Sequence, residues 1–328
     1  MNYINCPSYD PLFFALYLKD KGKDIFIITR NHDVQKYCEF TNISSIFLTQ
    51  PVLSIKTLGS LFSFKKEADD FFNGLNLSPE DRFYFFGNEH TIEGFYLAKL
   101  FSEKCEVLNP CILNFKEYTG QLFNFDGIKH QIGRKIFKQH LGIDLIFKDW
   151  KKHVAYGIDE DFIFKHNIVK FDCDYFQTIK SGVIKNNQIK LKQYDNLIDG
   201  GMFICEGVIK ESSLKEVSNF FSSSMDSFVV KNHPFFKPNS NYLKGCEEYP
   251  TFIPIEFLFG NIKKNFIAIY CQALKSASQF PHIKAISLLE MVEWESKEFK
   301  QEIKAILLEG TPNIIFPKTY KELGELLK

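Results

Sequence analysis

Lys231 and His233 close an apolar run, Phe228-Val229-Val230-Lys231-Asn232-His233-Pro234. The run reads as a strand that delivers both side chains to its carboxyl edge. Pro234, which has no N–H to donate, forbids simple continuation of the ladder. An imidazole held there can donate to a phosphate oxygen or protonate a leaving group. An isolated His-Pro more often only closes a strand, so its sequence neighbours decide between the two. Downstream, Phe252-Ile253-Pro254-Ile255-Glu256-Phe257-Leu258 is apolar except for one carboxylate. Glu256 either caps a helix or accepts hydrogen bonds from ribose hydroxyls, a role carboxylates fill beside the ends of parallel strands. After the apolar segment 266–270 comes Ser276-Ala277-Ser278. Hydroxyls with free backbone N–H groups at a helix start make an anion site, and the same serines also suit an ordinary cap.

The elements that must position these groups follow from periodicity. Short apolar runs alternate with longer helical patterns, as in parallel α/β architecture. In the first half, strands are expected at 2–5, 25–29, 45–48, 83–86 and 105–108, with a helix over Thr91–Ser102. The middle, about 110–200, is less regular. It holds a basic amphipathic stretch, Ile132–Leu141, and a polar segment, Lys180–Asn196, that reads as a hairpin or connector. In the second half, strands are expected at 202–205, 227–231, 251–254, 266–270 and 313–316, with helices from Ser212 or Ser213 and over 255–260 and 295–308. The expected class is therefore α/β, with two Rossmann-like domains whose mostly parallel sheets face one another across a cleft, the GT-B arrangement. The boundary is expected at Asp199-Gly200-Gly201, giving domains 1–199 and 200–328, a natural division for 328 residues.

Composition narrows the partners. Lys plus Arg equals Asp plus Glu, and the resulting zero net charge disfavours a basic nucleic-acid binder. The eight Cys form no CxxC pair and no His stands in ligand spacing, so neither a zinc site nor any other metal is expected. The DxD at Asp172-Cys173-Asp174 lies in an irregular region. No charged leader precedes the first strand and no apolar run reaches the roughly 18 residues a membrane span needs. The expectation is a cytoplasmic protein, with Lys129, Arg134, Lys135 and Lys138 either solvated or in peripheral contact with the membrane's inner face. Thirty-six Phe point to biased composition or to an aromatic acceptor cleft. Asn88-Glu89-His90, after the strand at 83–86, either binds acceptor hydroxyls or caps a helix.

The ordered set Lys-x-His-Pro, Ile-Pro-x-Glu-x-Leu and a serine-rich turn resembles the C-terminal half of bacterial sialyltransferases of the GT-B fold. Cys6-Pro7-Ser8 also looks like that family's opening loop. The resemblance covers about 225–325, and the N-terminal half only in architecture. It implies an inverting, metal-independent transferase without a cofactor, which moves sialic acid from CMP-sialic acid to a glycan or glycolipid hydroxyl in surface-polysaccharide synthesis. It implies that His233, Ser276 and Ser278 bind the CMP phosphate, that Glu256 holds the ribose, and that Lys231 and Pro234 complete the motif. It further implies a carboxylate base in the N-terminal domain, in an acidic-acidic-Gly motif. This sequence departs from that pattern. Glu117, in Phe115-Lys116-Glu117-Tyr118-Thr119-Gly120, has the expected position but only one acid. Asp126-Gly127 is the alternate, and Glu206-Gly207 a third. Asn88 and Glu89 would meet the acceptor. Transfer of Kdo or another CMP-activated acid, or nucleotide or glycan binding without catalysis, are the competing expectations.

Overall fold

The computed structural model describes residues 1–49, 58–86, 92–110, 122–123, 135–136, 138–143, 145–150, 153–158, 169–170, 191–204, 208–222, 228–233, 242–243, 245–309 and 313–328. The chain divides into two compact units, Met1–Ile179 and Lys180–Lys328.

The first unit opens with β1 (Asn2–Asn5), α1 (Tyr9–Asp20), β2 (Ile25–Thr29), α2 (His32–Thr41) and β3 (Ser45–Phe47). It continues with α3 (Leu58–Gly74), β4 (Arg82–Tyr84), α4 (Ile92–Ser102) and β5 (Glu106–Asn109). Each helix supplies the crossover that a parallel pair requires. Local chemistry marks the ends. Asn31 caps α2 by accepting the N–H groups of Asp33 and Val34, and Asn42 closes it in the left-handed region at φ 53°. Strands β6 (Leu122–Phe123), β7 (Leu145–Trp150) and β8 (His153–Ile158) form an antiparallel sheet of order β6-β8-β7. β9 (Val169–Lys170) joins the main sheet, whose order is β3-β2-β1-β4-β5-β9 with every pairing parallel.

The abundant Phe builds this unit's core. Phe101 of α4 stacks on Phe83 of β4 at 4.4 Å and 11°, and also meets Tyr3 of β1 and Phe72 of α3. Phe64, Phe83, Phe85, Phe95 and Phe101 are all fully buried. Burying a ring of that size stabilises by about 1.5–3 kcal/mol. These rings therefore serve packing, not an acceptor surface.

The second unit repeats the plan with β10 (Tyr194–Asp199), β11 (Phe228–Lys231), β12 (Glu247–Glu248), β13 (Ile262–Ala268), β14 (Lys284–Ser287) and β15 (Ile314–Ile315). Their order is β12-β11-β10-β13-β14-β15, again all parallel. Helices Glu211–Ser222, Gln272–Ala277 and Lys297–Leu308 intervene, and Tyr320–Leu326 follows the last strand. Both main sheets thus have the doubly wound order 3-2-1-4-5-6, and the α/β class with two Rossmann-like units holds.

Four local expectations are corrected. The boundary falls before Tyr194, because Tyr194–Asp199 is the central strand of the second sheet and not part of a connector. Met202, Phe203 and Ile204 do not form that strand: Gly200–Ile204 is a 3-10 turn that begins as soon as β10 ends. Thr251–Pro254 is not a strand, whereas β14 was not anticipated at all. Finally, β13 runs over Ile262–Ala268, earlier than the expected 266–270, which shifts the following turn.

Candidate functional site

In open parallel sheets, ligands collect beyond the carboxyl ends of the strands where the strand order reverses. In the second unit that point lies between β10 and β13. β10 ends at Asp199, whose Oδ1 accepts the Gly201 N–H at 2.9 Å. The two glycines leave room for close contacts. A Cβ on Gly200 would lie 3.0 Å from Val230 Cγ1 and 3.2 Å from Asn232 Cα, and would collide with Asn232 Oδ1. A Cβ on Gly201 would lie 2.9 Å from Asp199 Oδ1 itself. Asp-Gly-Gly therefore lets the end of β10 fold tightly against the end of β11 while fixing its own carboxylate.

On β11, Lys231 is the direct register partner of Asp199. Its ammonium is buried and donates to the carbonyls of Asn232 at 2.8 Å and Thr251 at 2.9 Å. The side chain is thus a clamp that fixes the exit from β11, contributing its charge but aiming its donors at the backbone. His233 follows two residues later and is half-buried. Pro234 lies outside the described residues.

From β13 the chain passes to Cys271, which caps helix Gln272–Ala277 in an extended conformation. The Cys271 thiol donates to the Asp199 carboxylate. Glu256 stands in the first turn of a 3-10 helix, Ile255–Asn261, entered through Pro254, and its charge reaches Cys271. His233, Asp199, Cys271 and Glu256 are thereby electrostatically linked, in that order, around the ends of β10, β11 and β13.

Proton affinities express this crowding. Burial raises the Asp199 carboxyl above the usual aspartate value. The Gly201 N–H, the Cys271 thiol and the charges of Lys231 and His233 oppose that rise. Burial and the neighbouring Asp199 charge hold the Cys271 thiol well above its ordinary value. His233 is lowered, chiefly by burial and further by Lys231, while Asp199 pulls it upward. Such a set of displaced, mutually interacting groups at strand ends marks a candidate site.

The serine turn does not join it. Ser276 and Ser278 lie at the end of helix Gln272–Ala277, not at its start, because β13 finishes early and the helix begins at Cys271. The Ser278 N–H donates to Leu274 and its hydroxyl to the Lys275 carbonyl at 2.8 Å, while Ser276 is buried. Their place in the fold is therefore the end of a helix, where they serve its closing turn. The signal that sequence reasoning missed was Asp199-Gly200-Gly201, treated as a linker turn. An acid followed by two glycines after a short run is also how a central strand ends at a close backbone approach.

In the first unit, the corresponding edge is also polar. The Thr29 hydroxyl donates to the Cys6 carbonyl at 2.6 Å, and Asn31 Nδ2 donates to the Pro7 carbonyl at 3.3 Å, which braces Cys6-Pro7-Ser8. Arg30, after β2, forms a buried ion pair with Glu93 in the first turn of α4. Asn5 and Asn109 end β1 and β5 in full burial. Glu117, Asp126, Asn88, Glu89, Glu206 and Asp172 to Asp174 lie outside the described residues, as do Lys129 and Arg134; Lys135 and Lys138 are exposed. Among the described residues, no cluster of three or more His, Cys, Asp or Glu is placed to hold a metal ion. No helix among them is long and apolar enough to cross a membrane.

Fold and site together define a protein of two doubly wound α/β units with a titratable cluster at the switch point of the second. No protein-family model matches the chain, and no curated protein matches it. Solved structures are similar along nearly its whole length. One is the UDP-GlcNAc 2-epimerase from Methanocaldococcus jannaschii, with 13% identity over 99% of this chain and 91% of that one, at TM-score 0.44. Another is the glycotransferase of kitacinnamycin, with 9% identity over 99% and 89%, at TM-score 0.41. A third is a glycosyltransferase from Rickettsia africae ESF-5, with 14% identity over 99% and 91%, at TM-score 0.38. These likenesses are too distant to bear on chemistry. The two-unit plan rests on the strand orders themselves.

Proposed function

We propose that the chain is an inverting glycosyltransferase that moves sialic acid from CMP-sialic acid to a hydroxyl of a surface glycan. The observation that supports this reading is the placement of His233 and Glu256, the two side chains of the motifs shared with GT-B sialyltransferases. Both are electrostatically linked to the Asp199–Cys271 pair at the strand ends of the second unit. Elements separate in sequence have brought to one edge the group suited to a phosphate and the group suited to a ribose.

In the proposed reaction the acceptor oxygen attacks the anomeric carbon and the carbon–oxygen bond to the phosphate breaks. The electron pair leaves with CMP, and a carboxylate of the first unit, Glu117 or Asp126, takes the acceptor proton. His233 donates to the departing phosphate, stabilising charge that develops only as the bond breaks. Glu256 accepts from the ribose hydroxyls. Lys231, committed to two carbonyls, acts by holding the exit of β11 and by its charge. No metal takes part, and Asn88 and Glu89 receive the acceptor. The basic stretch with Lys135 and Lys138 would bring the enzyme to an anionic membrane face where a glycolipid acceptor resides.

The test is His233→Ala, assayed by CMP release and by sialyl transfer over a panel of galactosides. Loss of a positioned proton donor lowers turnover by about 10²–10⁴, with circular dichroism unchanged. Undiminished transfer by this variant refutes the assignment. Release of CMP from CMP-Kdo but not from CMP-sialic acid would move the donor to a different acid at the same site.

A further inference from the structure

The carboxylate that sequence reasoning set at the domain boundary ends the strand next to the one that leads to the imidazole of the motif. Asp199 and Lys231 are register partners on adjacent parallel strands, and His233 follows Lys231 by two residues on the same chain exit. Two constraints stop Asp199 from turning away. The Gly201 N–H holds Oδ1 at 2.9 Å, and the Cys271 thiol donates from the β13 side. At Gly200 the ends of β10 and β11 approach so closely that a Cβ would lie 3.2 Å from Asn232 Cα. Lys231, the neighbouring cation, is fastened to the carbonyls of Asn232 and Thr251, so those donors are not spent on Asp199.

We propose that Asp199 is the positioning residue for His233: the Asp-Gly-Gly turn holds a carboxylate toward the ring, so that the imidazole keeps a proton available for an anionic phosphate. This proposal rests on the donor-site reading only for the identity of that phosphate. The charged and titratable groups around His233 are Asp199 on β10, Lys231 on β11 and Cys271 at the helix after β13, with Glu256 beyond Cys271. Of these, Asp199 raises the proton affinity of the ring, and Lys231 and burial lower it. Without Asp199, the imidazole would stand near a buried ammonium and lose the carboxylate that offsets it. It would then hold its proton less tightly still, and a neutral ring donates from only one of its two nitrogens.

The experiment follows the ring directly. In the full chain labelled with ¹³C-histidine, the His233 ring signal is assigned by its loss in His233→Gln. It is then titrated in the wild type, Asp199→Asn and Cys271→Ala. The amide introduced by Asp199→Asn retains an oxygen for the Gly201 N–H, so the turn is preserved while the charge is removed. The His233 midpoint should fall by about one pH unit in Asp199→Asn, the size of a solvent-screened charge pair. In Cys271→Ala it should fall by less, because losing the thiol donor leaves Asp199 less readily ionised. The second variant carries the test if the first does not fold. Identical His233 titrations in wild type and variants overturn the proposal.

A parallel arm uses CMP as the probe at pH 7.5. Binding should weaken about tenfold in Asp199→Asn, with the deficit shrinking as pH falls towards the midpoint of the ring. If the wild type binds no CMP while Asp199→Asn still shifts the ring, the donor-site reading falls and the Asp199–His233 coupling stands.

Discussion

Replacing Gly200 by Ala tests whether the approach of β10 to β11 is the constraint that builds the site. The added methyl would lie 3.0 Å from Val230 Cγ1 and 3.2 Å from Asn232 Cα, and inside contact distance of Asn232 Oδ1. The amide oxygen can rotate away, but a backbone Cα cannot without moving the end of β11. Overpacking that forces a backbone shift costs about 1–3 kcal/mol. For a unit of this size that corresponds to a fall in Tm of about 3–10 °C. Gly324 provides the matched control. It sits inside helix Tyr320–Leu326 with nothing within 4 Å of a Cβ, so Gly324→Ala should stabilise by about 0.5–1 kcal/mol. Both variants add one methyl to the second unit, and the expected signs are opposite. Differential scanning calorimetry, with near-ultraviolet circular dichroism following Trp294, measures both. The same displacement carries Asp199 away from His233, so Gly200→Ala should also bind CMP more weakly, whereas Gly324→Ala should not. A Gly200→Ala protein as stable as the wild type refutes the reasoning.

Two further outcomes follow from the same cluster. Lys231→Met keeps the length of the side chain but removes both donors, leaving the Asn232 and Thr251 carbonyls without that partner. A loss of about 1–3 kcal/mol is expected, read as a lower urea midpoint at constant m. The pH dependence of stability has an unusual sign. Asp199 has its folded pKa raised, so it binds more protons in the folded state; its contribution is complete below the unfolded value near 3.8 and declines as pH rises through the raised folded value. Asp199→Asn should therefore gain stability over the wild type at pH 7 and lose that advantage towards about pH 3.5, as followed by urea denaturation across the range. If the variant's stability relative to wild type is lower at the neutral end than at the acid end, burial is not the dominant cause.

The first sheet was readable in the sequence because its strands are mostly buried apolar runs. β1, β2 and β5 lie within a residue of their expected spans, and α4 begins at Ile92 where the periodicity begins. β10 was not readable, since Tyr194-Asp195-Asn196-Leu197-Ile198-Asp199 places an amide at a core position. The fold tolerates Asn196 there because Asn265 on β13 supplies a partner, with Nδ2 donating to Asn196 Oδ1 at 2.6 Å in full burial. That partner is far away in sequence, and no local pattern announces it. With β10 hidden, Met202-Phe203-Ile204 was the apolar run left to serve as the strand, and Asp199 became a linker. At the site, His233 and Glu256 were legible because their motifs are local. Asp199 and Cys271 were not, because their meeting depends on strand order. The serine turn misled because a shift in where β13 ends moves the same residues from one end of a helix to the other.

The Asn196–Asn265 pair has a meaning beyond tolerance. Apolar side chains on two central strands can slide past one another and still find apolar neighbours, so burial alone sets their alignment weakly. Two buried amides joined by a hydrogen bond have one good alignment. Any slip leaves a buried polar group unmet, at about 1–3 kcal/mol each, and a one-residue slip also turns the strand's faces over. The pair works as an index mark between β10 and β13, and the irregular register between Tyr194 and Asn196 is confined to the side away from the site. Beyond the mark, at the end of the same strand, stands Asp199. Whatever chemistry the crevice performs, its alignment with the β13 exit is set by two uncharged side chains buried in the sheet.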